Sequence, residues 1–104
     1  QLVFILQRGV RFPQGPPIMP YFVYMLLSKY KGKFISYVGY TNNLKNRLTL
    51  HNSSKGAKFT KGKKWEIIYK KKYLTKSRAM KDEYKLKKDY NLRNKIKINF
   101  LSNE

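Results

Sequence analysis

Apolar positions follow two patterns along this chain, one typical of short strands and one typical of helices. Residues 21–27 form an aromatic and β-branched run, which is too short for a typical helix and predicts a buried strand. Residues 28–33 are polar and contain Gly32, so they predict a hairpin loop. Residues 34–39 return as an extended run and predict the antiparallel partner strand.

A helix is predicted directly after this hairpin. Residues 41–43 are Thr, Asn and Asn, whose short polar side chains cap helix N-termini. Leu44, Leu48 and His51 then follow at helical spacing. Residues 52–64 are rich in Gly, Ser and Lys and predict a loop.

The last third of the chain predicts one more strand and two helical segments. Alternating apolar residues begin at Trp65, so residues 65–74 predict a third strand. Thr75 or Ser77 can cap a helix over residues 76–90, and a final short helical segment follows. The order β-β-α-β-α-α predicts an α+β fold, with a three-stranded antiparallel sheet flanked by helices.

The first 18 residues differ in composition from the rest. They hold three of the four prolines and no lysine. One interpretation is a flexible arm that reaches towards nucleic acid. The other is read-through from an upstream transfer RNA gene, because residues 9–13 can be encoded by a T-arm sequence and Met19 would then be the true start. We therefore predict a flexible or misannotated extension at residues 1–19, a folded domain at residues 20–100 and a tail at residues 101–104.

The chain is strongly basic, which narrows the choice of partners. Its 104 residues provide room for one small domain, and its formal net charge of +19 comes from 24 basic and 5 acidic residues. Such a charge favours polyanions, with nucleic acid the first candidate and an acidic membrane surface the second. No stretch approaches the roughly 18 consecutive apolar residues of a membrane span, so no membrane insertion is predicted.

Cysteine is absent, which excludes disulfides and thiolate zinc sites. His51 is the single imidazole of the chain. A metal would therefore be bound mainly by oxygen atoms, which indicates magnesium or manganese.

Lysines are concentrated in one part of the chain. Eight lysines and a single acid, Glu66, lie between Lys55 and Lys72. One interpretation is a solvated surface in a protein from an A/T-rich genome, and the other is contact with the phosphate backbone of nucleic acid. We favour backbone contact, because A/T-rich codons do not explain the scarcity of acids. The predicted contact residues are Lys55, Lys58, Lys61, Lys63 and Lys64.

Arg47 and His51 are four residues apart in the first predicted helix, so they share one helical face. An arginine beside a histidine, shortly after the turn at Gly39, suits phosphate chemistry because the guanidinium fork matches phosphate oxygens. The alternative is an ordinary solvated helix face.

One stripe of the second long helix places a carboxylate among apolar residues. The stripe comprises Ala79, Glu83, Leu86 and Tyr90 at offsets of four, three and four. It is predicted to face the core, where a carboxylate needs either a basic neighbour or a metal. The alternative to a metal is a rim salt bridge from Glu83 to Lys87 or Arg47.

Two tripeptides on the predicted hairpin resemble the GIY-YIG nuclease signature. Residues 22–24 are Phe, Val and Tyr, and residues 37–39 are Tyr, Val and Gly. The first tripeptide departs from the family pattern at Phe22, which stands where the family has glycine.

Later segments carry the same resemblance. The loop at residues 56–60, the strand at residues 65–69 and the helix at residues 75–88 are similar to those of small stand-alone bacterial GIY-YIG proteins. Those proteins are related to the nuclease subunit of the eukaryotic structure-specific endonuclease. The resemblance covers residues 20–88 and implies the GIY-YIG version of the α+β fold.

The resemblance also implies roles for five residues. Tyr24, alone or acting with His51, would take the proton from the attacking water, and Tyr37 would orient that water or contact the phosphate. Arg47 would stabilise the charge on the pentacovalent phosphorus. Glu83 would hold one divalent cation, Mg²⁺ or Mn²⁺. The alternative for both tyrosines is that they are core residues with satisfied hydroxyls.

The function implied by the resemblance is that of a metal-dependent endonuclease that hydrolyses phosphodiester bonds of DNA. Structured or damaged DNA in repair or recombination is the expected substrate, in the bacterial cytoplasm. One alternative is a catalytically silent, basic nucleic-acid-binding module with the same fold. Another is a basic structural or ribosome-associated protein.

Overall fold

Three strands form one antiparallel sheet in the computed structural model, which describes residues 20–103. The strands are β1 (Tyr21–Tyr30), β2 (Lys33–Thr41) and β3 (Glu66–Tyr73), in the sheet order β2-β1-β3. The helices are α1 (Leu44–Asn52), α2 (Lys76–Lys88) and α3 (Tyr90–Ser102), with a 3₁₀ turn at Lys58–Thr60. The predicted α+β fold is confirmed, and the predicted N-terminal extension lies outside the described residues.

The hairpin between β1 and β2 is tighter than the predicted six-residue loop. Lys31 and Gly32 both have positive φ angles, 53° and 79°, and they alone make the turn. Two consecutive residues of positive φ suit a two-residue hairpin, because this backbone follows the right-handed twist of the strands. Residues 28–30 therefore continue β1, and Ser28 pairs with Ile35 despite its polar side chain.

The central strand β1 divides the core into two layers, because successive side chains point to opposite faces of the sheet. One layer contains Tyr24, Leu26 and Trp65, against which Leu44 and Leu48 of α1 pack. The other layer is built around Val23, Met25, Val38, Tyr73, Ala79 and Leu86, the last two from α2. The two helices therefore cover opposite faces of the sheet.

The second and third helices are separate, which changes the environment of Tyr90. Asp89 is both the C-cap of α2 and the N-cap of α3, and its Oδ1 accepts a hydrogen bond from the Leu92 amide at 3.0 Å. Tyr90 therefore begins α3 and is 64% exposed, so its predicted place on the core-facing stripe is wrong. Ala79 and Leu86 of that stripe are buried as predicted. The final helix has 13 residues and is longer than the short segment predicted.

The longest helices between residues 20 and 103 are α2 and α3, with 13 residues each. None of the helices in this part of the chain is long and apolar enough to cross a membrane.

Candidate active site

Three rings from three different elements meet on the α1 face of the sheet. Tyr24 comes from β1, Tyr37 from β2 and His51 from the last turn of α1. The His51 ring centroid lies 5.0 Å from that of Tyr37 and 5.9 Å from that of Tyr24. Tyr24 and His51 are buried and Tyr37 is half-buried, so the cluster opens to solvent on the side of Tyr37.

His51 is fully buried, and both of its ring nitrogens have partners. The Tyr24 hydroxyl lies 2.9 Å from Nε2, and the Thr60 hydroxyl lies 2.8 Å from Nδ1. Thr60 has one hydroxyl proton, which it donates to the Ala57 carbonyl at 2.7 Å. Its oxygen can therefore only accept from His51, so Nδ1 carries the imidazole proton and Nε2 accepts from Tyr24.

Two glycines allow this cluster to lie directly against the backbone. A Cβ atom at Gly39 would stand 2.5 Å from the Tyr24 hydroxyl oxygen. A Cβ atom at Gly56 would stand 2.5 Å from Nδ1 of His51. Any side chain at either position would displace a ring of the cluster. This explains why the second tripeptide ends in a glycine, Gly39.

The loop between α1 and β3 is closed by side-chain hydrogen bonds that hold Thr60 in place. The Asn52 amide accepts from the Trp65 backbone amide at 2.6 Å and donates to the Trp65 carbonyl at 3.1 Å. The Trp65 indole nitrogen donates to the Thr60 carbonyl at 3.0 Å. These bonds join the end of α1 to the start of β3, so the segment that carries Thr60 closes over His51.

Tyr24 and His51 are both uncharged in the resting state. Burial raises the pKa of Tyr24, and the Arg47 guanidinium beside its hydroxyl opposes that rise only in part. Burial lowers the pKa of His51, and the positive charge of Arg47 lowers it further. At neutral pH the tyrosine therefore holds its proton, and the histidine offers an unprotonated Nε2 to receive it.

Arg47 lies one helical turn before His51 and faces the same cluster. Interaction with the Tyr24 hydroxyl raises its pKa, and Tyr37 contributes in the same direction, so the guanidinium stays charged. Its Nε atom is buried, and among residues 20–103 it is the one buried side-chain nitrogen or oxygen without a hydrogen-bond partner. An unpaired buried donor is costly, and the half-buried guanidinium that carries it is suited to an anionic ligand such as a phosphate oxygen.

Glu83 lies on α2, near enough to the ring cluster for its charge to act on Tyr24. Its side chain is 15% exposed, and its Oε2 atom forms an ion pair with Lys87 Nζ at 2.9 Å. This is the rim salt bridge that the sequence left open, and Lys87 rather than Arg47 is the partner. The negative charge of Glu83 contributes to the raised pKa of Tyr24, so the carboxylate acts electrostatically on the ring cluster.

Glu83 is the single carboxylate that the candidate site offers to a divalent cation among residues 20–103. Within residues 20–103 no group of three or more His, Cys, Asp or Glu side chains could enclose a metal. Mg²⁺ is commonly held by one or two carboxylates, with waters and substrate phosphates completing its shell. A single partly exposed carboxylate meets that requirement, provided that Lys87 moves aside.

The predicted lysine contacts lie in the segment that closes over the site. Lys55, Lys58, Lys61 and Lys64 are exposed. Lys63 is half-buried, and its ammonium group donates to the carbonyls of Phe59 at 3.1 Å and Lys61 at 3.4 Å. The four exposed lysines are therefore free to reach a phosphate backbone, and Lys63 also stabilises the loop.

The structure brings four of the five predicted site residues into one cluster and places Glu83 at its edge. Thr60, Asn52 and Gly56 support the site but were not predicted. Thr60 lies within the 56–60 segment that resembles the family loop. The sequence contained one indication of its role. A buried histidine needs partners for both nitrogens, so a hydroxyl residue close in sequence was to be expected.

Comparison with known proteins defines the class of this domain. Residues 20–97, well over half of the chain, match the GIY-YIG catalytic domain. The chain therefore belongs to the GIY-YIG family of the nuclease superfamily. No solved structure matches the chain significantly.

The individual relatives are bacterial UPF0213 proteins. The chain is 52% identical to one from Oceanobacillus iheyensis over 52 residues, which are 49% of this chain and 60% of that protein. It is 41% identical to one from Staphylococcus epidermidis over 63 residues, or 60% of this chain and 76% of that protein. It is 47% identical to UPF0213 protein YazA of Bacillus subtilis over 53 residues, or 50% of this chain and 54% of that protein. The chain thus spans less than two thirds of the first and third of these relatives.

Proposed function

We propose that this protein is an endonuclease that hydrolyses phosphodiester bonds of DNA with the help of one divalent cation. The observation that carries the proposal is the hydrogen-bonded series from Tyr24 through His51 to Thr60, whose Tyr24 end lies beside the charged guanidinium of Arg47. Such a series can move one proton over a fixed path, and the arginine can bind the phosphate at the same time.

The proton of the attacking water passes first to Tyr24. As the water oxygen forms its bond to phosphorus, its proton moves to the Tyr24 hydroxyl oxygen, and the tyrosine proton moves to His51 Nε2. His51 then holds protons on both nitrogens, and the Nδ1 proton remains bonded to Thr60. The bond from phosphorus to the leaving oxygen breaks, and that oxygen leaves with the electron pair.

Arg47 stabilises the charge that develops on the phosphoryl oxygens. Its planar fork of donors matches two oxygens of a phosphate, which a lysine ammonium cannot do. The guanidinium is held beside the tyrosine hydroxyls before substrate binds, so little reorganisation is needed during the reaction. Tyr37 forms the solvent-facing side of the cluster and orients the water or contacts the phosphate.

Glu83 would hold the divalent cation, Mg²⁺ or Mn²⁺, at the margin of the cluster. When bound, this ion supplies charge neutralisation at the phosphate and at the leaving oxygen. Lys87 pairs with the carboxylate beforehand and would have to move towards solvent for Glu83 to hold the cation.

The substrate is structured or damaged DNA of the kind met in repair and recombination. The exposed lysines near the site would contact phosphates whatever the base sequence. The structure of the DNA would then determine where cleavage occurs. This part of the proposal rests on the basic surface and on membership of the GIY-YIG family.

One observation favours a second candidate, a silent nucleic-acid-binding module. The Glu83 carboxylate is already paired with Lys87, as it would be if it served only to stabilise α2. In that case the ring cluster would be a polar part of the core, and binding would occur without hydrolysis.

A cleavage panel tests the choice between these functions. Labelled duplex, flap, fork and single-stranded DNA are incubated with the protein in Mg²⁺, Mn²⁺ or EDTA. We expect cleavage of at least one branched substrate with either metal and none in EDTA. An Arg47→Lys variant purified in the same way should lose most of the activity, which excludes a contaminating nuclease. Binding without cleavage under every condition would establish the silent module instead.

A further inference from the structure

Exposed aromatic rings continue outwards from the ring cluster of the site. The Phe59 ring stacks on Tyr37 with an interplanar angle of 19° and a centroid distance of 6.3 Å. The Lys63 ammonium lies 5.4 Å from the Phe59 ring centroid and 4.7 Å from that of Tyr30. Phe59, Lys63 and Tyr30 therefore form a continuous row, which we call the aromatic row, between Tyr37 and the hairpin turn.

The rings of this row are not needed to fill the core. Phe59 is 52% exposed and Tyr30 is 39% exposed, whereas Trp65, whose ring centroid lies 6.2 Å from that of Phe59, is buried. The loop that carries Phe59 is already held by the bonds of Asn52 and Trp65, so its closure does not depend on the phenyl ring. Half-exposed rings beside a candidate active site are better explained by a ligand.

We propose that the aromatic row is a stacking site for unpaired nucleotides next to the scissile phosphate. Flat rings accept bases of any identity, because every base has a π-face. The lysines around the row supply contacts for the phosphates between those bases. The inference rests on the proposed function in taking DNA as the ligand and in placing the scissile phosphate beside Tyr37.

The positive charge around the aromatic row indicates which class of ligand binds there. Lys58, Lys61 and Lys64 are exposed in the same segment as Phe59, and Lys31 lies over the Tyr30 ring at 5.3 Å. The chain as a whole carries a formal net charge of +19. A second copy of this chain would bring the same cations against these, whereas a nucleic-acid strand brings one negative charge per nucleotide.

A stacking site at this position would give the protein a preference for part of its substrates. The unpaired bases of a fork or flap are already outside the double helix. The bases of a continuous duplex must first be unpaired and unstacked, which costs free energy. The row adjoins Tyr37, so the unpaired segment would lie directly beside the bond to be cut. The predicted substrate class is DNA with an unpaired strand at the junction.

Binding measurements in EDTA test this inference independently of cleavage. The probes are a labelled fork and a labelled duplex with the same number of phosphates, and fluorescence anisotropy gives their affinities for the parent and for Phe59→Leu. We expect Phe59→Leu to bind the fork about tenfold more weakly and the duplex with nearly unchanged affinity. The slope of affinity against salt should stay the same, because stacking releases no counterions.

Tyr84 provides a matched control on another part of the surface. It is 59% exposed and also has a lysine, Lys88, at 4.9 Å from its ring. Tyr84→Leu should leave both affinities unchanged, and Phe59→Trp should keep the fork affinity of the parent because it keeps an aromatic face. Thermal unfolding of each variant establishes that the fold is intact.

Three outcomes would overturn the inference. Equal weakening on fork and duplex would mean that Phe59 only shapes the basic loop. Unchanged fork binding by Phe59→Leu would show that no base stacks there. If Phe59→Leu without DNA sedimented differently from the parent, the row would be an interface between copies of the chain. Each of these results leaves the cleavage panel untouched, so a failed stacking site and a failed nuclease assignment can be told apart.

Discussion

The candidate site has two sides, which differ in how many of their polar groups find partners within the folded chain. On the first side, which we call the proton-transfer side, Tyr24, His51 and Thr60 are buried and every polar side-chain atom has a partner. On the second, which the proposed function makes the ion-binding side, Arg47 has an unpaired Nε, and among residues 20–103 Glu83 forms an ion pair only with Lys87. The hydrogen bonds of the proton-transfer side are complete once the chain folds, whereas the proposed function leaves the ion-binding side to be completed by phosphate and a cation.

This difference has an energetic cause. A fully buried imidazole is tolerated only when both nitrogens are hydrogen-bonded, so the proton-transfer side cannot be loose without loss of stability. The Lys87 side chain is 49% exposed and that of Glu83 is 15% exposed, so the ion pair is open to water at its lysine end. Ion pairs at a protein surface contribute about 1 kcal/mol or less. Lys87 can therefore leave at small cost when a cation competes for the carboxylate.

Glu83→Gln tests the ion-binding side and has the largest expected effect. The change keeps the shape of the side chain and removes the charge that a divalent cation needs, so cleavage should be lost at every Mg²⁺ and Mn²⁺ concentration. DNA binding should be equal to that of the parent or tighter, because one carboxylate no longer repels phosphate.

Lys87→Gln is the matched control, since it removes the same ion pair and leaves the carboxylate. It should retain cleavage. If Glu83→Gln retained cleavage as well and lost only a little stability, Glu83 would be a salt-bridge residue and the second side would hold no metal.

Tyr24→Phe tests the proton-transfer side at its first atom. The variant keeps the ring in the core but deletes the hydroxyl, so we expect cleavage to fall by about 10²-fold or more while the protein remains folded. Tyr69→Phe, on a partly buried tyrosine of the opposite layer, should have no comparable effect. An active Tyr24→Phe enzyme with an unchanged pH profile would move the role of base to His51.

Thr60→Val tests whether the far end of the same side matters. Valine has the shape of threonine without the hydroxyl, so Nδ1 of His51 loses its acceptor and the imidazole can adopt the other tautomer. We expect cleavage to fall about tenfold, with recovery in Thr60→Ser, which keeps the hydroxyl. Nitrogen NMR of the single histidine measures the tautomer directly, and an unchanged tautomer in Thr60→Val would contradict the assignment.

The pH dependence of stability provides the smallest and most general test. Burial and Arg47 lower the pKa of His51 in the folded state, so below an unfolded value of about 6.5 the unfolded chain binds the proton more readily. The stability associated with neutral His51 is therefore full above that pH and declines as the pH falls through it. Denaturant unfolding between pH 8 and pH 5.5 should show this decline in the parent and not in His51→Gln.

The order of elements and most of the site positions could be predicted from the sequence, because they depend on local pattern. The apolar run of β1, the caps before α1 and the spacing of Arg47 and His51 each act within a few residues. The turn at Lys31 and Gly32 was predicted at too great a length, since polar residues 28–30 gave no sign that they extend the strand. The break at Asp89 was missed for a similar reason, because one side chain caps two helices there.

By itself, the sequence determined the α+β fold, the family and the residue types that the site brings together. Only the tertiary structure decided how those residues are connected. His51 bonds to Thr60 nine positions later and to Tyr24 twenty-seven positions earlier, and the choice of tautomer depends on where the Thr60 proton goes. Spacing along one helix cannot specify such contacts, because they depend on how a loop and two strands close around a buried ring.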